Sequence, residues 1–380
     1  MSIINLKHEP PNGLNLVSLF AGCGGSSLGY QAAGYDIRLS VEWDKSAANI
    51  YRDNFPGTPI FQGDIGDLDI EQIYDLSGLK EGELDVLDGS PPCQGFSSAG
   101  ERKFTDDRNQ LFREYVRILK GLQPRAFIME NVSGLRKGKM KLMFAVMTKA
   151  LKECGYRVSC RELNAWWYGV PQTRTRLIWI GIREDLPYEP SHPEPIVRRP
   201  ISVREAFGNH LDTTTLLENH IWGTGQAKQQ EAFDNGTGDK DHYSFLDAPA
   251  NTLMASRPPL LMKKGTFTTV SKWEELNRPA KTLVTHKPKL AGSFSFPKNT
   301  ERNGKPLDKP SGTLAAIRPP SMFENMEVRY ITMEEAKILQ SFPGDFKIDI
   351  YKYIGNSVPP LMAQAIGKHV AGILRGTDAN

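Results

Sequence analysis

The chain has 380 residues, with 47 Lys and Arg against 44 Asp and Glu, a formal net charge of +3 when the histidines are neutral. That length allows one large domain or a large one with a small companion, and the near balance of charge excludes a histone-like polycation. Hydrophobic residues make up 39% and none of their runs approaches the roughly 18 residues that span a bilayer, which excludes a membrane protein; residues 1–13 show no signal peptide, so the cytoplasm is the expected location.

The first 185 residues alternate short β-rich runs with helix-like patterns, the signature of βαβ units. Strands are predicted at 16–20, 37–42, 84–88, 126–130, 157–163 and 177–182, with a further one ahead of Gly63. Apolar residues recurring at three- and four-residue spacing predict helices at 46–54, 111–119 and 141–154, and a helix-like stretch covers 26–33. The expected fold class is α/β, a doubly wound, mostly parallel sheet. Prolines 187, 190, 193, 195 and 200 then crowd together and read as a linker or domain crossing. Beyond them a short motif recurs at 247–253, 277–283 and 308–314, with prolines at 249, 279 and 310; each copy suggests a proline turn entering a Thr-Leu strand. Helical patterning returns at 333–340 and 361–371.

The net charge hides a segregation. Residues 209–250 hold two basic against seven acidic residues, whereas 257–318 hold thirteen basic against four acidic, a net of +9, with Phe267, Trp273, Phe294 and Phe296 interleaved. A basic segment with aromatics, Gly, Pro, Ser and Thr suits a surface that meets phosphates.

Chemistry-bearing residues gather at strand ends. Strand 16–20 runs into Ala21, Gly22, Cys23, Gly24 and Gly25 and then a helix, a turn at which the backbone can approach a nucleotide and the helix N-terminus offers free N–H groups. Glu42, about 20 residues on, can bind both hydroxyls of a ribose. Trp43 offers a stacking face for adenine, and Asp64 before Ile65 an acceptor for its amino group. Strand 84–88 leads to Pro91, Pro92 and Cys93, where open α/β sheets place active sites, so Cys93 reads as a nucleophile. The next strand ends in Glu130 and Asn131, an acid that burial can fit for proton donation. Period-two spacing sets Arg174 and Arg176 on one face. Of the four cysteines, Cys23, Cys154 and Cys160 read as small packing residues; with no Cys-x2-Cys pair and isolated histidines, neither a disulfide scaffold nor a metal is expected.

The run from Phe20 to Gly25, Glu42-Trp43, Gly63-Asp64, Pro91-Pro92-Cys93-Gln94, Glu130-Asn131-Val132, residues 172–176, 329–343 and Gly355 to Pro360 occur in this order along nearly the whole chain. In them the chain resembles the DNA (cytosine-5) methyltransferases of the bacterial modification-enzyme type. One departure is Ser18, where many members carry Asp; it precedes the turn and leaves the cofactor contacts in place.

The resemblance implies a class I S-adenosylmethionine-dependent methyltransferase fold, with a discontinuous large domain at 1–200 and 345–380. It also implies a smaller, mainly β or irregular DNA-recognition domain at 201–344. S-adenosylmethionine would be held by Phe20, Ala21, Gly22, Gly24, Gly25, Glu42, Trp43, Asp64, Ile65, Asn356 and Ser357. Cys93, Glu130, Arg174 and Arg176 would be catalytic, and residues 94–109 would form a loop that closes over a flipped cytosine. The expected partner is double-stranded DNA. A cognate restriction endonuclease would accompany the enzyme unless it is an orphan or phage methylase, and the chain is expected to act as a monomer. Two alternatives share the fold: an RNA cytosine-5 methyltransferase and a non-catalytic DNA-binding regulator, the latter disfavoured because Cys93 and Glu130 are both present.

Overall fold

A computed structural model describes residues 6–92, 110–207, 243–245, 250–251, 260–262, 328–330 and 332–377. Cys93, the expected closing loop 94–109, nearly all of the acidic and +9 segments and two of the three motif copies lie outside them.

Seven strands make the central sheet: β1 (Asn15–Leu19), β2 (Asp36–Glu42), β3 (Ile60–Gln62), β4 (Val86–Gly89), β5 (Ala126–Val132), β6 (Tyr156–Asn164) and, beyond the two-residue β7 (Gln172–Thr173), β8 (Thr175–Arg183). Their order is β3-β2-β1-β4-β5-β8-β6. The first five are mutually parallel, and β8 runs antiparallel to both β5 and β6. Strand order reverses between β1 and β4, which opens a crevice at their carboxyl ends.

Both faces of the sheet are covered, because successive side chains along a strand point to opposite sides and here both sets are apolar. Leu16, Val86, Ile128, Ile178 and Ile180 pack with α1 (Gly25–Ala32) and the last helix, while Val17, Leu87, Phe127, Met129 and Trp179 pack on the other side. That other side is roofed by α3 (Ile70–Ser77), α4 (Gln110–Leu122) and α5 (Lys141–Lys152), whereas α2 (Lys45–Asn54) follows β2. Of these, α3 was not among the predicted helices, though its signal is in the sequence: Asp69 and Gln72 form a reciprocal capping box.

The chain returns through α6 (Val203–Phe207), α7 (Met333–Leu339), α8 (Tyr351–Asn356) and α9 (Pro360–Arg375). Thr332 and Glu335 box the start of α7, and Pro360 opens α9 at a position whose missing N–H costs nothing. Gly29 is obligatory where α1 meets α9: a Cβ there would stand 2.4 Å from the Pro360 carbonyl oxygen. Val203, Phe207, Ala336, Leu339 and Phe342 share a buried cluster with Ala21, Cys23 and Leu28, so both segments flanking the middle of the chain rest beneath the turn after β1.

The proline-rich stretch is a fixed strap. His192 hydrogen-bonds through Nε2 to the Ile178 carbonyl at 2.9 Å, and Tyr168 donates its hydroxyl to the Pro193 carbonyl at 3.0 Å. Of the middle segment, β9 (Tyr243–Phe245), β11 (Leu260–Met262) and β12 (Val328–Tyr330) form a small sheet, and β10 (Ala250–Asn251), inside the first motif copy, pairs with β7. Among the described residues no helix is long and apolar enough to cross a membrane.

Candidate active site

The turn after β1 is built from positive φ angles at Phe20 (57°), Gly22 (57°) and Gly24 (95°). Each glycine answers a different demand. A Cβ on Gly22 would meet nothing within 4 Å, so the backbone there borders open space; one on Gly24 would strike the Phe55 ring, and one on Gly25 the Val358 carbonyl and Ser357. Ala21 is buried, and Gly24 caps α1 without a side-chain hydrogen bond while Gly25, Ser26 and Ser27 of the first turn are buried, so the backbone that borders open space is that of the turn at Gly22.

Glu42, at the end of β2, is bound to this turn. Its Oε2 accepts from the Gly22 amide and its Oε1 from the Asp44 amide, both at 2.8 Å. Burial pushes its carboxyl above the usual range, opposed by those N–H donors. Trp43 is 76% exposed with its ring in solvent. Asp64 is exposed and accepts from the Gly66 amide at 2.9 Å, whereas Ile65 points into the core with Leu19, Val41 and Leu68. Asn356 is exposed at the end of α8, and Ser357 turns inward, its hydroxyl 3.0 Å from Cys23 Sγ. Burial holds the Cys23 thiol up at about 12.

On the other side of the switch point, Asn131 donates from Nδ2 to the Pro91 carbonyl at 3.0 Å, tying the end of β5 to the turn that leads to Cys93. One residue earlier, Glu130 Oε1 pairs with Arg176 Nε at 2.8 Å. Arg174 is buried and donates from Nη1 to the Gly355 carbonyl at 2.9 Å. Burial lowers both guanidinium pKa values; the neighbouring Arg176 lowers that of Arg174 further, and Glu130 opposes the shift in each.

Sequence reasoning missed the polar chain that joins these parts. Gln172 Nε2 donates to Gln340 Oε1 at 2.7 Å, and Gln340 Nε2 donates to the Ser357 carbonyl at 2.6 Å. Glutamines this far apart in sequence carry no spacing signal; both are fully buried, and buried amides must be satisfied.

Comparison with known proteins agrees with this architecture. The family model of the C-5 cytosine-specific DNA methylases matches residues 14–372. The type II methyltransferase M.XorII of Xanthomonas oryzae pv. oryzae is 33% identical over 94% of this chain and 85% of its own length. M1.HphI of Haemophilus parahaemolyticus, also a type II methyltransferase, is 32% identical over 94% of this chain and 86% of its own. The crystal structure of the S. pombe Dnmt2 methyltransferase shares the fold, with a TM-score of 0.59, 16% identity and coverage of 96% of this chain and 99% of that one. A family match across nearly the whole length, on a sheet whose switch point carries the glycine turn beside the Glu130–Arg176 pair, leads to one conclusion: the chain belongs to the C-5 cytosine-specific DNA methylases and is a DNA (cytosine-5) methyltransferase.

Proposed function

We propose that the protein transfers a methyl group from S-adenosylmethionine to C5 of a cytosine flipped out of a specific double-stranded DNA sequence, through a covalent bond between Cys93 and C6. The observation that carries this reading is the Glu130–Arg176 pair, 2.8 Å apart beside the Asn131–Pro91 hydrogen bond. It puts a carboxyl and a guanidinium next to the turn that delivers the cysteine.

The residues present fit the cofactor. The space beside Gly22, the Glu42 carboxylate and the exposed Trp43 ring offer an approach to the turn's backbone, a hydroxyl acceptor and a stacking face. Phe20, Ala21, Gly24, Gly25, Asp64, Ile65, Asn356 and Ser357 would shape the rest of that pocket. When bound, S-adenosylmethionine supplies an electrophilic methyl group on a sulfonium sulfur.

The chain's own residues do the remainder. Cytosine C5 is a weak nucleophile, so the Cys93 thiolate forms a bond to C6 and the ring electrons shift toward C5 and N3. Glu130, once it has taken up a proton and the base has displaced its Arg176 contact, delivers that proton at N3. Arg176 holds O2 with its rigid fork, and Arg174, anchored on the Gly355 carbonyl, would sit by the thiolate or a nearby phosphate. After methylation a water or hydroxide from solvent takes the C5 proton, and the electrons of that C–H bond re-form the C5–C6 double bond as the sulfur–C6 bond breaks. Cys93 leaves as thiolate, and the N3 proton returns to Glu130. Extruding the base costs a few kcal/mol, and residues 94–109, with Arg102, Lys103 and Arg108, would recover part of it by closing over the base.

Residues 1–200 and 345–380 would form the catalytic domain and 201–344 the recognition domain, standing on α6 and α7 as its two legs. The +9 segment would meet phosphates and guanine edges. Relatives named type II methyltransferases support a modification role beside a restriction endonuclease. DNA carrying 5-fluorocytosine tests the chemistry, since fluorine cannot leave as a proton does. An active preparation should give a covalent complex that survives denaturing electrophoresis and is absent with Cys93→Ser. An active wild type that forms no such complex overturns covalent addition; trapping on RNA instead of DNA overturns the substrate.

A further inference from the structure

β4 carries a buried carboxylate that neither the cofactor site nor the base site uses. Asp88 is 2% exposed and pairs in register with Ser18 on β1. Its Oδ2 accepts from the Ser18 hydroxyl at 3.0 Å and its Oδ1 from the Tyr30 hydroxyl of α1 at 2.9 Å. Both donors are neutral, as is the Ser26 hydroxyl at the start of α1 that also acts on this carboxyl, and among the described residues no lysine or arginine forms an ion pair with Asp88. Taking a carboxylate out of water without a cation costs folding free energy, so stability does not account for the group.

What the two hydrogen bonds join does account for it. Ser18 stands two residues ahead of Phe20, where the cofactor turn begins, and Tyr30 lies on the helix that leaves that turn. Asp88 itself is followed by Gly89, Ser90, Pro91 and Pro92, the direct lead-in to Cys93. There is no slack at the next residue, since a Cβ on Gly89 would stand 2.6 Å from the Tyr115 ring. Farther along, Asn131 holds the Pro91 carbonyl.

We propose that Asp88 is a positioning residue that fixes the distance between the cofactor turn and the catalytic turn by clamping β1 and α1 onto the strand that leads to Cys93. It touches neither substrate nor cofactor, and its role rests on the assignment of Cys93 as nucleophile. A displacement of about 1 Å between reacting groups costs on the order of a hundredfold in rate, so loosening this clamp slows the chemical step more than it weakens binding.

The test is Asp88→Asn in the full chain, assayed by single-turnover methyl transfer at saturating cofactor and DNA. The rate should fall roughly ten- to a hundredfold while KM for the cofactor and Kd for DNA stay within about threefold and Tm is unchanged or higher. Tyr30→Phe, which removes one arm of the clamp, should slow transfer by less, and the double variant should be no slower than Asp88→Asn alone. A rate within twofold of wild type overturns the proposal, as does a loss that tracks a lower Tm and fewer sites titrated by 5-fluorocytosine DNA. Should Asp88→Asn fail to fold, Ser18→Ala with Tyr30→Phe answers the same question by the same criteria. Cys93→Ser, run alongside, separates the two ideas. If it still methylates, the nucleophile assignment fails; if it is inactive while Asp88→Asn runs at wild-type speed, only the clamp fails.

Discussion

Glu130 and Arg176 face each other at 2.8 Å across the β5–β8 pairing, in which Glu130 opposes Ile178 and Val132 opposes Arg176. They are diagonal neighbours on one face of an antiparallel pair, the separation at which long side chains meet. In the proposed reaction each serves a different edge of the cytosine, Glu130 at N3 and Arg176 at O2. The ion pair therefore holds both groups in place, and an entering base exchanges their mutual contact for contacts of its own.

Glu130→Gln keeps the shape and a hydrogen-bonding group but has no proton to give. Loss of general acid catalysis amounts to about 10²- to 10⁴-fold, and single-turnover methyl transfer should fall within that range with DNA affinity changed by only a few-fold. Arg176→Lys should also be impaired, because a single ammonium cannot reproduce a guanidinium fork. A Glu130→Gln enzyme with near wild-type turnover would rule out proton delivery from this residue.

Trp43 allows the proposed cofactor site to be tested separately from the fold. It is 76% exposed, so Trp43→Ala removes almost no core packing and Tm should not move. Stacking of a base on an aromatic ring is worth about 1–3 kcal/mol, which predicts a KM for S-adenosylmethionine raised by roughly five- to more than a hundredfold, with kcat little changed. Glu42→Gln should act in the same direction, since its two oxygens organise the Gly22 and Asp44 amides. Equilibrium binding of the cofactor product to each variant checks both, and an unchanged affinity for Trp43→Ala would place the adenine elsewhere.

The fold was legible in the sequence wherever the pattern was local. Short β-rich runs marked six strands of the sheet within a residue or two at most ends, because both faces are buried and consecutive residues such as Leu16 and Val17, or Ile178 and Trp179, are apolar on opposite sides. The glycine turn was legible because two of its three positive φ angles, at Gly22 and Gly24, fall on glycine, the residue that adopts them without strain. Long-range partners were not legible: nothing in the spacing of Gln172 and Gln340, or of Glu130 and Arg176, states that they touch. The proline cluster marked where the α/β pattern ends but not how the chain packs there. Prolines stop helices and strands, but they do not stop a chain from packing, and His192 and Pro193 are fixed to the sheet by hydrogen bonds to Ile178 and Tyr168. The departure at Ser18 gains its meaning only from the strand alongside, where Asp88 accepts its hydrogen bond.

Thiol reactivity should separate the cysteines. Burial pushes Cys23 and Cys160 up to about 12 and raises Cys154 as well, so at pH 8 only on the order of 10⁻⁴ of Cys23 or Cys160 is thiolate, the reactive form. A catalytic Cys93 must be far more reactive. Brief alkylation of the native protein at pH 8, read by mass spectrometry, should label Cys93 first and abolish activity in step with that label. Labelling of Cys23 ahead of Cys93 would count against the assignment.

Asp88 should give the protein an inverted acid dependence. Its carboxyl ionises near 3.8 when unfolded and, because burial disfavours the charge, near about 6 when folded; the Tyr30, Ser18 and Ser26 hydroxyls oppose that rise and the Glu130 charge adds to it. Between those values the folded state holds the proton more tightly than the unfolded state does. This group's contribution is therefore most favourable below about pH 4, declines as pH rises through about 6, and stays at its lower value above. A separation of this size corresponds to roughly 3 kcal/mol over the whole window. Asn at position 88 does not titrate, and the hydrogen bond it forfeits costs the same at every pH. The stability of Asp88→Asn minus that of wild type, from denaturant titrations, should therefore grow by about 1–2 kcal/mol between pH 5 and pH 7 and then level off. Parallel stability curves for the two proteins across that interval would show that Asp88 is not buried as a charge.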